Sequence, residues 1–348
     1  KLPIEYLFKP YFIIKFMQNL LPFEKIERKV LVKNESETNK DYGKSPSERS
    51  VEELIKYGVI NINKPQGPTS HLVSDYVKKI LKISKCGHSG SLDPNVTGCL
   101  PIALEDATRI VHYLLKSGKE YVCLMHLHAD INQSKIHKVM QSTIGKMKQL
   151  PPIKSAVKRQ LREREIYYIE ILEIDGKDVL FKIGSEAGFY VRKYCHDLGK
   201  LLGTNAHMQQ LVRTKAGPFT DKDWHSLQDL TDAYEYYKQG NEKEIKKIIL
   251  PFELAASHLP KIWVMDSTVD SLCHGAQLSI PGISKLHSNI KKDDVVAIMT
   301  LKEEIICIGT AMLSSEEIIE QEKGLAIKNN AVFMKRKTYP KHEHNTSK

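Results

Sequence analysis

"IYYIEILEIDGKDVLFKIG", residues 166–184, is the stretch that decides the fold class. Two runs rich in β-branched and aromatic residues flank Asp175–Gly176, a dipeptide suited to a tight turn between two strands. Upstream, "GVINI" (58–62) reads as a short strand and "EYVCLMHLHA" (120–129) as a longer one. "TSHLVSDYVKKIL" (69–81) reads as a helix, with Thr69 or Ser70 as N-cap after Pro68. Leu72, Tyr76, Val77, Ile80 and Leu81 are expected on one face of it. "FYVRKYCHDLGKLLG" (189–203) is a second helix, ending at Gly203. Strands and helices interleave without the regular spacing of βαβ units, so the fold class is α+β and not a doubly wound parallel sheet.

The texture changes near Pro260. Residues 261–313 contain short strand-like runs broken by Gly, Pro and Asp, the pattern of a small β-barrel of about 75 residues. A polar helical linker at 226–248 precedes it. At the other end, "KLPIEYLFKPYFIIKF" (1–16) is apolar and aromatic, and residues 33–53 read as a loose, polar arm. The tail from Lys335 is basic and expected to be disordered.

A chain of 348 residues favours two domains, and 41% apolar content is enough for real cores. No run approaches the roughly 18 apolar residues of a membrane span, so no membrane partner is expected. The six cysteines form no CxxC pair, and their scatter suits reduced thiols in a cytoplasmic protein. The formal charge is +10, and it is concentrated: residues 135–164 hold nine Lys and Arg against the single acid Glu163. A patch of this kind implies a polyanionic partner, because neutralising phosphates releases counterions. Lys154, Lys158, Arg159 and Arg162 are the candidate RNA-binding residues within it.

"GHSGSLDPNVTG" (87–98) sets one acid, Asp93, among glycines, serines and a proline, in a loop expected between two helices. Pro94 pushes Asp93 toward extended geometry, and Gly90 and Gly98 permit close approach of another backbone. Alone, an Asp before Pro is turn punctuation. With His88 beside it and Arg192 available to hold the carboxylate ionised and oriented, it becomes a catalytic candidate. The loop lacks the GxxxxGK[ST] pattern of a phosphate-binding P-loop. His126 and His128 share one face of a strand with Asp130 nearby, but no third ligand is evident; they read as structural histidines, and no metal site is assigned.

Five segments in order, "GVININKPQGPTSH", "KCGHSGSLDPNVTGCLPIAL", "GKEYVCLMHLH", "GFYVRKYCHDLG" and "HMQQLVRTKAGPF", resemble the successive motifs of the TruB-type RNA pseudouridine synthases. "PPIKSAVKRQLRERE" and "LPFEKIERKVLVKNESET" resemble more narrowly the archaeal dyskerin homologues, catalytic subunits of H/ACA ribonucleoproteins, and the C-terminal segment is similar to a PUA domain. The match runs from about Met17 to about Tyr339.

The resemblance implies a mixed, largely antiparallel central sheet flanked by helices, followed by the PUA barrel. It divides the chain into an extension outside the match (1–16), an N-terminal arm packing on the PUA domain (17–57), a catalytic domain (58–250), the PUA domain (260–336) and a basic tail (337–348). It implies Asp93 as the catalytic residue, Arg192 as its partner, Tyr121 stacking on the target base, Tyr190 and Leu211 lining the pocket, His88 in base flipping, and Lys64 and Pro65 supporting the loop. The stability contributed by the Asp93–Arg192 pair is expected to depend on how deeply it is buried. No cofactor is needed, because pseudouridine is an isomer of uridine. The implied partners are substrate RNA, a guide RNA that selects the uridine, and small accessory proteins. The stretch 129–151 is too short for the extra RNA-gripping insertion of stand-alone bacterial relatives, which favours guide dependence. The alternatives are a stand-alone tRNA synthase of the uridine-55 type and an RNA-binding scaffold.

Overall fold

The computed structural model describes residues 19–151 and 159–341. Lys154, Lys158, the extension at 1–16 and the last seven residues therefore lie outside the described residues. The chain divides into two compact units. One takes in the chain up to Ile26, Ile60–Ala103 and Val111–Asn241; the other takes in Glu27–Val59, Leu104–Ile110 and the chain from Glu242 onward.

In the first unit the hairpin of residues 166–184 lies inside a larger sheet. Strands Arg162–Asp175 and Asp178–Ser185 pair antiparallel, with Asp175 opposite Asp178 across the turn. In spatial order the sheet runs Gly58–Lys64, Thr97–Leu104, Ala206–Ala216, Lys119–Leu127, Asp178–Ser185, Arg162–Asp175 and Gly145–Gln149. Thr97–Leu104 runs parallel to Ala206–Ala216, while Lys119–Leu127 is antiparallel to both of its neighbours. The sheet is thus mixed and largely antiparallel, as an α+β protein requires.

Helix Val191–Leu201 packs its buried face, Val191, Tyr194, Cys195 and Leu198, on this sheet, in one core with Cys123, Met125, Phe181 and Ile183. Helix Ser70–Leu81 is capped by Thr69, whose hydroxyl accepts from the Leu72 amide at 3.2 Å. Its buried face is Ser70, Val73, Ser74, Val77 and Leu81, whereas Leu72 and Tyr76 are exposed. The expected face is rotated because two serines small enough for close approach, not the larger apolar residues, meet the body of the unit.

The second unit holds a seven-stranded sheet ordered Val30–Val32, Ile283–His287, Lys261–Val264, Val295–Met299, Ile305–Ala311, Leu325–Val332 and Leu278–Ser279. Residues 33–53 are not loose. Lys33 and Asn34 donate backbone bonds to Ser284, Thr38 and Asn39 bond Asp266, and Arg49 makes a paired bridge to Glu253 at 2.6 and 2.7 Å. Polar composition concealed this, because the arm is held largely by hydrogen bonds, with Val51 and Tyr42 as its few apolar anchors. The described start of the basic tail is likewise anchored: Tyr339 is fully buried, its ring 6.1 Å from that of Tyr42.

Candidate active site

Asp93 sits in a loop between two strands, Cys86–His88 and Thr97–Leu104, and not between helices. The run "TGCLPIAL" forms a strand buried almost throughout, so it lacks the polar alternation that reveals a half-exposed one. The loop is fastened from below by a cation. Lys64, fully buried, donates to the carbonyls of Pro65 (2.8 Å), Pro94 (3.1 Å) and Val96 (2.9 Å). Ser70 closes a second clamp, accepting from the Leu92 amide at 2.8 Å. Gly98, at φ +109°, lies so close to the neighbouring strand that a Cβ there would fall 2.2 Å from the Arg213 carbonyl. Its lack of a side chain lets the loop dock on that strand.

So held, the Asp93 carboxylate points outward, and the Arg192 guanidinium donates to it at 2.6 Å from the first turn of helix Val191–Leu201. The two side chains are 55% and 56% exposed, so the pair adds no more than about 1 kcal/mol to stability. Its value lies in orienting a carboxylate that remains open to a ligand.

Asp93 and Arg192 stand on a cleft of about 960 Å³, which Tyr121, Tyr190, Leu211 and Arg162 also line. Arg159 is exposed and is not among the lining residues. His88 lies behind the wall. Its ring is 4.8 Å from that of His71, which does line the cleft, and its Nδ1 accepts from the Gly90 amide at 3.4 Å. Burial, with His71 and Arg213 nearby, pushes the imidazole below its usual pKa and keeps it neutral at pH 7. Pro65 supplies one of the carbonyls that hold Lys64. His126 bonds Asp178 at 2.7 Å and His128 meets His207 at 3.0 Å. Among the described residues no group of three or more His, Cys, Asp or Glu side chains is placed to hold a metal ion.

Two buried cations on the cleft, Arg213 and Lys119, were not singled out from sequence. Arg213 is 2% exposed and donates to the carbonyls of Cys99 (2.7 Å) and Gly90 (3.2 Å), bracketing the Asp93 loop. Lys119 is buried and donates to the Leu114, Leu115 and Ser117 carbonyls; desolvation, with Arg213 close by, lowers its pKa to about 7. Both lie two residues from a site residue on the same strand, Arg213 from Leu211 and Lys119 from Tyr121. That strand period is the signal that finds them.

A cleft with an outward carboxylate held by an arginine, a tyrosine beside it and a wall rich in cations suits an electron-poor ring carried on a polyanion. Comparison with known proteins gives the same direction. Over 328 residues the sequence is 52% identical to "Probable tRNA pseudouridine synthase B" of Pyrococcus furiosus, covering 93% of this chain and 96% of that protein. The chain belongs to the TruB family of pseudouridine synthases.

Family models match this synthase along its length: the N-terminal domain of TruB family pseudouridylate synthase at 78–191, the C-terminal domain of tRNA pseudouridylate synthase B at 192–257, the PUA domain at 260–333 and the DKCLD domain at 19–74. It is 49% identical to the Nanoarchaeum equitans protein of the same description, with 92% of each chain covered. Among solved structures it is similar to a chain of a Cbf5–Nop10–Gar1 complex (TM-score 0.90, 52% identity, 94% of this chain and 100% of that one). It is also similar to a chain of an H/ACA RNP bound to a substrate RNA containing 2'-deoxyuridine (TM-score 0.88, 50% identity, 93% and 99% covered). Among the described residues no helix is long and apolar enough to cross a membrane.

Proposed function

We propose that this synthase converts uridines in RNA, chiefly ribosomal and secondarily transfer RNA, to pseudouridine at positions chosen by an H/ACA guide RNA, with Asp93 as the catalytic carboxylate. The bond from the ribose C1' to N1 of uracil breaks, the ring turns, C1' bonds to C5, the C5 proton is removed and N1 takes up a proton, so the product is an isomer. The target uridine must leave its helix to reach Asp93, at an unstacking cost of a few kcal/mol. The carboxylate that Arg192 orients serves as nucleophile or base. Tyr121 offers a face for the flipped base, Tyr190 and Leu211 close the pocket around it, His88 assists flipping from behind the wall through its contact with His71, and Lys64 with Pro65 fixes the loop. Arg159 and Arg162, with Lys154 and Lys158, hold phosphates. The observation that carries this reading is the 2.6 Å Arg192–Asp93 contact on a cleft that Tyr121 also lines.

Guide dependence is supported by the similarity to Cbf5 and H/ACA RNP chains across more than nine-tenths of the sequence. Phosphate and shape contacts carry little sequence information, so base pairing supplies what the protein lacks. We assign residues 58–250 to catalysis and 260–336 to gripping guide RNA. The accessory partners are small proteins of the kind bound to that Cbf5 chain, and six free cysteines fit a reducing, cytoplasmic setting. The test is to supply guides with exchanged antisense bases and map pseudouridine; the modified position is expected to follow the guide. The description of the curated relatives favours a second reading, a stand-alone tRNA synthase, and a position that stays fixed whatever guide is supplied selects it. A protein that binds RNA but forms no pseudouridine in any of these assays is a scaffold.

A further inference from the structure

Strand Ala206–Ala216 has 11 residues where its neighbour Lys119–Leu127 has 9. The surplus is taken up at two register shifts, which leave Thr214 and Gln209 without opposite numbers. Directly opposed residues share a face of the sheet. The pairs Lys119–Ala216, Tyr121–Arg213 and Cys123–Leu211 thus all face the cleft side, although 213 and 216 would fall on opposite faces of a regular strand. The bulge at Thr214 is what brings Arg213 and Leu211 into phase with Tyr121.

The bulge is pinned from the far side of the sheet. Glu120 is 5% exposed, yet its carboxylate is fully engaged. Oε1 accepts from the Thr214 hydroxyl at 2.7 Å, and Oε2 accepts from the Tyr168 hydroxyl at 2.5 Å and lies 4.0 Å from Lys215 Nζ. Glu120 therefore spans both residues of the bulge, Thr214 and Lys215. From the other direction the Cys99 thiol donates to the Thr214 carbonyl at 3.2 Å.

We propose that Glu120 is a positioning residue for uridine isomerisation: it fixes the bulge whose register presents Tyr121, Leu211 and Arg213 to the cleft. The proposal rests on the cleft being the site of isomerisation. A one-residue slip of a strand exchanges its faces, so loss of the clamp withdraws these side chains together. It also loosens the Asp93 loop, because Arg213 brackets that loop through Gly90 and Cys99.

The test compares guide-loaded wild type with Glu120→Ala, Glu120→Gln and Thr214→Val, measuring the single-turnover rate of pseudouridine formation, substrate RNA affinity and melting temperature. Ile136→Val, a core change elsewhere in the unit, is the control for general destabilisation. Glu120→Ala and Thr214→Val are expected to slow the chemical step about tenfold to hundredfold with affinity nearly unchanged, the usual scale of a small misplacement. Glu120→Gln keeps a carbonyl oxygen for Thr214 and is expected to recover most of the rate, and Ile136→Val is expected to lower the melting temperature only. Rates within about twofold of wild type for both Glu120→Ala and Thr214→Val overturn the proposal, as does a loss no greater than stability-matched Ile136→Val shows. Should Glu120→Ala fail to fold, Thr214→Val alone decides. Failure of the cleft assignment reads differently, as turnover that survives Asp93→Asn.

Discussion

Lys64 and Asp93 bring opposite charges to one loop, and the fold treats them oppositely. The Lys64 ammonium is removed from solvent and saturated by three backbone carbonyls. The Asp93 carboxylate is more than half exposed, with Arg192 as its ion-pair partner. Buried polar groups are tolerated when every donor is used, and leaving one unused costs more than the bond contributes. An exposed carboxylate escapes that demand, because water completes its solvation until a substrate arrives. The difference separates a charge that builds the loop from a charge the loop exists to display. It predicts that the two can be broken independently.

The largest expected effect on activity comes from Asp93→Asn. It should lower pseudouridine formation by at least about 10²–10⁴-fold while leaving RNA affinity and melting temperature close to wild type. A melting temperature that falls sharply would mean Asp93 also builds the loop, and the comparison would collapse. Lys64→Met should do the reverse by orphaning the loop carbonyls, with an expected loss of ~2–4 kcal/mol in denaturant unfolding and activity falling as a consequence. Arg192→Ala should reduce turnover clearly but cost under about 1 kcal/mol of stability. A greater loss of stability would show that the exposed pair is structural after all.

The smallest expected effect concerns pH. The folded state holds His88 below its usual pKa, so between that usual value and the lowered one the unfolded chain binds more protons. Its stabilising contribution is therefore complete above about pH 6.5 and is lost as pH falls through the lowered pKa. Melting temperature measured from pH 7 down to pH 5 should decline less steeply in His88→Asn than in wild type.

The same contrast explains what the sequence disclosed. Asp93, Tyr121, Arg192, Tyr190 and Leu211 were legible because their motifs stand in a recognisable order, and all five line one cleft. The strands at 119–127 and 162–185 were legible from composition and the Asp-Gly turn. The buried face of Ser70–Leu81 was not, since Leu72 and Val73 are equally apolar and only the packing partner chooses between them. The bulges at Gln209 and Thr214 escaped notice because they break the two-residue period, and the one at Thr214 is held by Glu120, remote in sequence. Tyr339 was assigned to a disordered tail because a single aromatic among lysines gives no periodic signal, yet it is fully buried.

The exposure of the Asp93–Arg192 pair makes the strength of that contact a property of whatever lies above it. Two unit charges 4 Å apart attract by about 1 kcal/mol in water and by about fourfold more at the effective dielectric constant of a covered protein surface. An RNA seated on the cleft displaces that water. With Asp93 as the proposed catalytic group, the substrate itself then acts as the insulator that stiffens that carboxylate, and an empty site carries little of that field.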